Sequence, residues 1–481
     1  MGGYAVTPGE VGRRQFLAVA GSAALAAAGT ACSSPSTEGS PRSGERASFP
    51  DGFTFGLATS AYQVEGATTA DGRGRSIWDT FATKPGTIDD GSSGAVACDH
   101  YHRWEADLDL LKGLSATSYR FSVAWPRVLP EGRGQPNAKG LDFYRRLVGG
   151  LRQRGIEPVA TIYHWDLPQA LQDAGGWGVR ESADWFADYA AILFDALPDV
   201  GTWLTVNEPK IIVQQAYQLG WMAPGLQDTH LSGRVLHHLH LAHGRAVQAF
   251  RASGNAGRIG ACPVVSPVYP FTETDESRAK AALSDITENT LYLDPILRGR
   301  YPRLDGQEPA MVAGLRSAER DGDLAVMSTP VDLLGLNYYS PVFVDDFGQP
   351  RMRYPVASNG WQQVYPRGLH DVLVRLHRDY GLPLMVCENG IPDAAGQSPL
   401  EDPHRVDFLR GHLLAVHDAI ADGAQVLGYH AWSLMDNFEW ARGYTQRWGV
   451  LHVDFETQQR TRKKSADWLA DVMAHGSVPR S

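Results

Sequence analysis

Cysteine is scarce in this sequence, with four residues in a chain of 481. Cys32 lies in an N-terminal segment of distinct composition, and the remaining three, which are far apart, are Cys98, Cys262 and Cys387. An odd number of widely spaced cysteines predicts no disulfide framework, and no pair has the spacing of a zinc site. We therefore expect a fold that depends on neither disulfides nor a structural metal.

Basic residues are also few. The chain has 44 Lys and Arg against 54 Asp and Glu, a formal net charge of -10, and no run of basic residues. This balance argues against a nucleic-acid partner and, more weakly, against a polyanionic substrate. The apolar stretch at residues 18–28 is shorter than the roughly 20 residues that a membrane-spanning helix needs.

The first 31 residues have the pattern of an export signal. Arg13 and Arg14 precede the apolar, small-residue stretch, which is typical of the twin-arginine route. Residues 29–32 are Gly-Thr-Ala-Cys, which resembles a bacterial lipobox, although Gly29 stands where that pattern prefers leucine. Two outcomes stay open: lipidation of Cys32, which would hold the protein on the outer side of the cytoplasmic membrane, or secretion after cleavage nearby.

Residues 32–48 are rich in Ser, Pro, Gly and charge. Such a composition cannot bury enough apolar surface to fold, so it predicts a flexible tether. We expect the folded domain at residues 49–476 and a short tail at residues 477–481.

Short β-rich runs alternate with longer amphipathic stretches through the rest of the chain. The runs predicted as strands lie at residues 54–59, 118–124, 158–163, 203–207, 258–265, 333–339, 383–388 and 426–434. Helical patterns separate them, at residues 104–114, 141–154, 183–197, 231–251, 369–380 and 405–420. Eight βα units in series predict an α/β fold, a single (β/α)8 barrel with long loops on one rim.

Seven of the eight predicted strands change character where they end, because polar and aromatic residues follow the apolar run. The carboxyl ends of parallel barrel strands open on one rim, where such folds carry their chemistry. We therefore predict a single pocket lined by Gln63, Trp125, His164, Trp165, Asn207, Glu208, residues 337–339, Glu388, Asn389 and Trp432.

Two of these residues are glutamates that close apolar strands. Glu208 precedes a proline and Glu388 precedes Asn-Gly, and either motif taken alone is better explained as a loop or a turn than as a catalytic residue. On one rim, however, two carboxyl groups meet the requirement for cleaving a glycosidic bond, one protonated as an acid and the other ionised. The motifs alone assign these two roles only in part.

Six segments carry a more specific signal. They are ATSAYQVEG at residues 58–66, RFSVAWP at 120–126, YHWD at 163–166, TVNEP at 205–209, ENG at 388–390 and WSLMDNFEW at 432–440. Together they resemble glycoside hydrolase family 1, over residues 49 to about 469. The resemblance implies a (β/α)8 barrel without a cofactor or metal. It also implies hydrolysis of β-glycosides with retained configuration, which requires two catalytic carboxyls about 5–5.5 Å apart.

The resemblance also implies roles for individual residues. Glu388 is expected to be the nucleophile and Glu208 the acid/base, with Asn207 bonded to the sugar 2-hydroxyl and Tyr339 donating to the nucleophile. The expected sugar-binding set is Gln63, His164, Asn207, Trp432, Glu439 and Trp440. Further candidate contacts are Trp125, Trp165, Asn337 and Trp448, of which Trp125 and Trp165 are equally well explained by core packing.

Glu439 bears on the class of sugar. The branch of the family that acts on 6-phosphorylated sugars has a small uncharged residue there, and a carboxylate repels phosphate. Unphosphorylated β-linked glycosides or oligosaccharides are therefore the expected substrates, above all β-D-glucosides, with galactosides and fucosides as further candidates. Departures from the family pattern at Trp221, Cys387 and Trp448 leave the natural sugar and aglycone open.

Two other functions stay open at this point. A non-catalytic carbohydrate-binding lipoprotein would keep the barrel without turnover, although the presence of both glutamates argues against it. A transglycosylase would use the same covalent intermediate and pass the sugar to an acceptor other than water.

The sequence leaves the oligomeric state undetermined. The histidine-rich stretch at residues 237–243 is expected to be a packed helix rather than a metal site.

Overall fold

The computed structural model describes residues 45–481, and eight of its strands form a closed barrel of parallel neighbours. In chain order these strands are β1 Thr54–Ala58, β2 Ser118–Ser122, β3 Glu157–Tyr163, β4 Thr202–Asn207, β5 Arg258–Cys262, β6 Leu333–Asn337, β7 Leu384–Asn389 and β8 Val426–Trp432. The barrel closes where β8 pairs with β1, in a register that places Gly428 opposite Thr54. The predicted (β/α)8 barrel is confirmed.

All eight predicted runs are barrel strands, but several end earlier than the apolar pattern does. The run predicted to reach residue 265 ends at Cys262, because Pro263 has no amide hydrogen to donate to a strand ladder. The run predicted to reach residue 434 ends at Trp432. In each case the residues that follow the strand form part of the rim.

The helices surround the barrel. The six predicted ones are present, with ends that differ by a few residues, and four further helices of eight or more residues were not predicted. The helices of eight or more residues are His100–Gly113, Ala138–Gln153, Ser182–Ala196, Thr229–Ser253, Asp275–Asp285, Leu291–Arg298, Pro309–Ala318, Pro366–Tyr380, Pro403–Ala421 and Lys464–His475. Three begin at a proline that is the first helical residue, where its missing amide hydrogen and fixed φ are tolerated.

Inside the barrel, the strands contribute a small apolar cluster separate from the main core. Its buried members are Val159, Leu204, Cys262, Leu333, Met385 and Cys387. These side chains come from consecutive strands, as expected for a barrel interior that is packed rather than open. The residues of the predicted pocket lie further toward the carboxyl ends of the same strands.

The two ends of the folded body pair with each other. Arg46–Ser48 forms an antiparallel strand pair with Ser477–Pro479, and Ala47 and Val478 are buried in it. The folded unit spans Arg46–Arg480 and so includes residues expected to be tether or tail. Composition alone missed this pair because a three-residue strand is too short for a detectable periodicity.

The expected export signal, Cys32 and the tether up to residue 44 lie outside the described residues. Within the described chain, no helix is both long and apolar enough to cross a bilayer. Cys98, Cys262 and Cys387 are free and buried.

Candidate active site

Glu208 lies directly after β4, where the chain turns away from the barrel. Its backbone is left-handed, with φ 48° and ψ 63°, and its amide donates to the carbonyl oxygen of Cys262 at 2.8 Å. Pro209 then begins a one-turn helix. A non-glycine residue in this conformation is uncommon, and such residues concentrate at functional sites. The turn leaves the Glu208 side chain buried, with 6% of the residue exposed.

Glu388 lies near the end of β7 and receives hydrogen bonds on both carboxylate oxygens. Arg120, a fully buried residue of β2, donates from Nη1 to Oε1. The hydroxyl of Tyr339 donates to Oε2 at 2.6 Å. Two donors, one of them a cation, favour the ionised form of a buried carboxyl group.

A chain of hydrogen bonds connects the two carboxyl groups through two asparagines. Asn207 Oδ1 accepts from Arg120 Nη2 at 2.6 Å and from Asn337 Nδ2 at 3.1 Å. Asn337 Nδ2 also donates to Glu208 Oε1 at 2.8 Å. Groups from β2, β4, β6 and β7 therefore meet in one site, as the strand ends predicted.

The environment of Glu208 favours the protonated acid. Burial and the nearby charge of Glu388 raise the pKa of Glu208 to about 8, although the hydrogen bond from Asn337 opposes the shift. One carboxyl group is thus stabilised as an anion by donors, and the other is kept neutral by burial. This division is the one that an acid and a nucleophile require.

Gln63 and Glu439 meet on the opposite side of the site. Gln63 Nε2 donates to Glu439 Oε2 at 3.2 Å and to Asn437 Oδ1 at 3.0 Å, while its Oε1 accepts from Ser60 at 2.6 Å. Burial, with the charges of Glu388 and Glu208, raises the pKa of Glu439 to about 8. Two adjacent polar side chains of this kind suit the neighbouring hydroxyls of a sugar.

A search of known proteins places these observations in a family. A family model described as "Glycosyl hydrolase family 1" matches residues 45–477. The chain belongs to glycosyl hydrolase family 1. It is 43% identical over 440 residues to beta-glucosidase A of Acetivibrio thermocellus, covering 88% of this chain and 98% of that protein.

Further relatives support the same assignment for this family 1 enzyme. It is 43% identical over 465 residues to a bifunctional beta-D-glucosidase/beta-D-fucosidase of Bifidobacterium breve, covering 89% and 99% of the two chains. A solved structure of the family 1 β-glucosidase of Thermotoga maritima with isofagomine lactam superposes with a TM-score of 0.85 at 39% identity, covering 90% and 100%.

Aromatic rings of the family 1 enzyme pack on one another beside Asn207. The ring of His164 stacks on Trp432 and Trp440, with centroid separations of 6.1 and 5.8 Å. Trp165 contacts Trp440 at 4.7 Å, and its Nε1 donates to the carbonyl oxygen of Asn207 at 2.9 Å. These residues form a wall of apolar ring faces of the kind that binds the apolar face of a pyranose.

His164 is held neutral and oriented. Burial and the Arg120 charge keep the pKa of His164 well below its usual range. Asn207 Nδ2 lies 3.0 Å from Nε2, which therefore accepts and leaves the ring proton on Nδ1. Within residues 45–481, that Nδ1 has no hydrogen-bond partner. A buried donor without a partner is available to a ligand hydroxyl.

The other candidate contacts take different places. Trp448 packs with Trp432 and Ala58, and its ring meets Tyr339 edge-on at 5.7 Å, so it lies against the site. Asn337 contacts Glu208 rather than open pocket. Trp125 has no exposed surface, stacks on Tyr189 at 4.6 Å and donates to the Gly132 carbonyl oxygen. It is therefore a residue of the packed core rather than a substrate contact.

Arg120 belongs to this site, although the sequence pattern predicts no role for it beyond its place in the motif at residues 120–126. Its signal in the sequence is an arginine inside an otherwise buried strand. A fully buried arginine needs anionic or carbonyl partners. Arg120 finds them in Glu388, Asn207 and the carbonyl oxygen of Cys387.

The histidine-rich helix has local partners. His237 bonds Asp323, His238 bonds the Trp177 carbonyl and His243 bonds Thr205. From residue 45 onward, no group of three or more His, Cys, Asp or Glu side chains is arranged to hold a metal ion.

Proposed function

We propose that this family 1 enzyme hydrolyses β-glycosides by double displacement with retention of configuration. Glu388 is the nucleophile and Glu208 the acid/base. The observation that carries the proposal is the contrast between the two buried carboxyl groups. Glu388 accepts from Arg120 and Tyr339, whereas burial raises the pKa of Glu208 to about 8.

In the first step, ionised Glu388 attacks the anomeric carbon while Glu208 gives its proton to the leaving oxygen. The glycosidic bond breaks, the aglycone departs as an alcohol, and a glycosyl ester of Glu388 forms. Arg120 and Tyr339 hold the carboxylate in line without rearrangement. Preorganised donors of this kind reduce the reorganisation needed to reach the transition state.

In the second step, Glu208 removes a proton from water, which attacks the anomeric carbon and releases Glu388. The ester has no negative charge, so the repulsion that raised the pKa of Glu208 is gone. The same residue therefore acts as acid in one step and base in the next. The hydrogen bond from Asn337 stabilises its carboxylate form during the second step.

We propose unphosphorylated β-D-glucosides as the main substrates, with β-fucosides and β-galactosides as further ones. The names of the relatives support glucosides and, for one of them, fucosides. The pocket supports neutral sugars because the negative charge of Glu388, which also raises the pKa of Glu439, would repel a phosphate. Activity of the β-glucosidase type agrees with the named relatives over most of the chain.

Hydrolysis is tested with p-nitrophenyl β-glucoside, β-galactoside and β-fucoside. We expect release of p-nitrophenol, with the β-anomer of the sugar as the first product by proton NMR. A first product of α configuration would refute retention. Sugar binding without turnover on any substrate would instead indicate a carbohydrate receptor, and transfer to added alcohol in preference to water would indicate a transglycosylase.

The nucleophile is tested by trapping. A 2-deoxy-2-fluoro-β-glucosyl fluoride should inactivate the enzyme, because the fluorine at C2 slows both steps while the good fluoride leaving group accelerates the first, so that the glycosyl ester accumulates. Peptide mass spectrometry is expected to place the sugar on Glu388. A label on another carboxyl group would contradict the assignment.

We also propose that the enzyme is exported through the twin-arginine route and held by a lipid on Cys32. This rests on Arg13, Arg14 and the residues before Cys32 in the sequence. Replacing both arginines with lysine should retain the enzyme in the cytoplasm. A Cys32→Ser variant should lose incorporation of labelled palmitate and appear in the medium; unchanged labelling would refute lipidation.

A further inference from the structure

Cys262 ends β5 directly beneath the two catalytic groups. Its side chain is fully buried, and Sγ lies 3.4 Å from Asn337 Oδ1 and 3.5 Å from Arg120 Nη2. Arg120 bonds Glu388 and Asn337 bonds Glu208. One thiol thus contacts both side chains that hold the catalytic carboxyl groups.

The orientation of the Asn337 amide decides what Glu208 faces. Nδ2 donates to Glu208 Oε1 at 2.8 Å and to Asn207 Oδ1 at 3.1 Å. The two ends of an amide have nearly the same shape, so hydrogen bonds determine which end faces which neighbour. On its other side, Oδ1 accepts from the Cys262 thiol.

We infer that Cys262 is a positioning residue for the acid/base: its thiol donates to Asn337 Oδ1 and keeps Nδ2 directed at Glu208. The inference rests on the proposed role of Glu208. Arg120 can only donate, so Cys262 Sγ accepts from it. The Cys262 proton faces Asn337 Oδ1 and the sulfur of Cys387, and the amide oxygen is the stronger acceptor of the two. The neighbouring thiol of Cys387 has a separate acceptor in the Met385 carbonyl oxygen at 3.5 Å.

This arrangement affects the charge of Glu208. A donor facing a carboxyl group stabilises its anion, whereas a carbonyl oxygen facing it stabilises the protonated acid. If the Asn337 amide were free to reverse, the proton of Glu208 would be held more tightly. Cys262, together with Asn207 Oδ1, which also accepts from Nδ2, therefore lowers the upper pH limit of the first step and assists the second step, in which Glu208 must become an anion.

Other groups also act on Glu208. The charged or titratable groups that face it are Glu388, Arg120, Lys210, Glu439 and Tyr339. Of these groups, only Arg120 contacts the Cys262 side chain, through Nη2 at 3.5 Å. The backbone bond from the Glu208 amide to the Cys262 carbonyl oxygen is independent of the side chain. A change in the pH profile of a Cys262 variant would therefore report on the thiol.

The test compares Cys262→Ala, which loses the donor, with Cys262→Ser, which keeps one. For Cys262→Ala, the alkaline limb of kcat/KM for p-nitrophenyl β-glucoside should move up by about half to one pH unit. Cys262→Ser should restore the wild-type limb. Cys98→Ala is the matched control: it removes another buried thiol, which bonds the Asp436 carbonyl oxygen, and should leave the limb unchanged.

An unchanged limb in folded Cys262→Ala, or equal shifts for the Ala and Ser variants, would overturn the role of Cys262. Inactivity of the wild-type enzyme on all glycosides would instead overturn the proposed function. Neutron crystallography of the deuterated wild-type protein decides the point without a variant. Deuterium on Cys262 Sγ directed at Asn337 Oδ1 supports the inference, and deuterium directed at Cys387 or an Asn337 amide of reversed orientation overturns it.

Discussion

Tyr339 donates a hydrogen bond of 2.6 Å to Glu388 Oε2, whereas Arg120 donates to the other carboxylate oxygen, Oε1. The two donors restrict rotation of the carboxylate. The contact joins the loop after β6 to the end of β7, and so depends on the pairing of these strands.

Tyr339→Phe should reduce kcat on p-nitrophenyl β-glucoside by about 10- to 100-fold, because a hydrogen bond to a charged group contributes about 1.5–3 kcal/mol. Tyr338→Phe is the control. Tyr338 is adjacent and buried, but its hydroxyl donates to the Tyr365 carbonyl oxygen rather than to the site. Equal losses of kcat in the two variants would contradict the role of Tyr339.

Glu388→Gln should abolish turnover, since an amide cannot attack and leave as the carboxylate does. Glu208→Gln should still be glycosylated by substrates with good leaving groups, and azide should restore its turnover by attacking the intermediate without a general base. Rates with 2,4-dinitrophenyl β-glucoside, with and without azide, check both. Rescue of both variants, or of neither, would refute the division of roles.

The pH dependence of kcat/KM should have an alkaline limb near pH 8, because Glu208 must be protonated for the first step and its pKa is about 8. Activity should fall as the pH rises through that value. The limb should be absent in Glu208→Gln with an activated substrate. If the alkaline limb persists in Glu208→Gln, a group other than Glu208 causes it.

Stability should also depend on Glu439. Its pKa rises from the ordinary 4.5 to about 8 on folding, so between these values the native state holds a proton that the unfolded chain has lost. Stability then falls as pH rises through that window. Glu439→Gln, which cannot ionise, should show a smaller loss of Tm between pH 5 and 8. Parallel Tm curves for variant and wild type would contradict this.

Arg120→Met should remove nearly all activity and cost about 3–5 kcal/mol of unfolding free energy, because it leaves Glu388 buried without its cationic partner. Arg127→Met breaks another buried pair, with Glu65, and is the control. It should lose stability in urea unfolding while the folded fraction keeps its kcat. A similar loss of kcat in both would mean that Arg120 acts only through the fold.

Trp125→Phe should lower stability by about 1–3 kcal/mol and leave KM unchanged, because Trp125 is packed on Tyr189 in the core. Trp432→Phe, in the pocket wall, should raise KM for the glucoside. Urea unfolding and steady-state kinetics distinguish the two. A raised KM for Trp125→Phe would place its ring nearer the substrate than its burial indicates.

The sequence by itself determined the fold class and which residues share the rim. A parallel barrel brings all strand carboxyl ends together, so residues that close apolar runs become neighbours however far apart they are in the chain. Glu208, Glu388, His164 and Asn207 could therefore be assigned to one pocket from periodicity and motif alone.

The tertiary structure alone decided how those residues act on one another. Arg120 is linked to Glu388 across 268 positions and Cys262 to Asn337 across 75, and no periodicity encodes such contacts. It also decided that Trp125 packs in the core, although it follows its strand as the pocket residues do. Strand ends determine position on the rim, but side-chain direction, burial and hydrogen bonds depend on packing between strands.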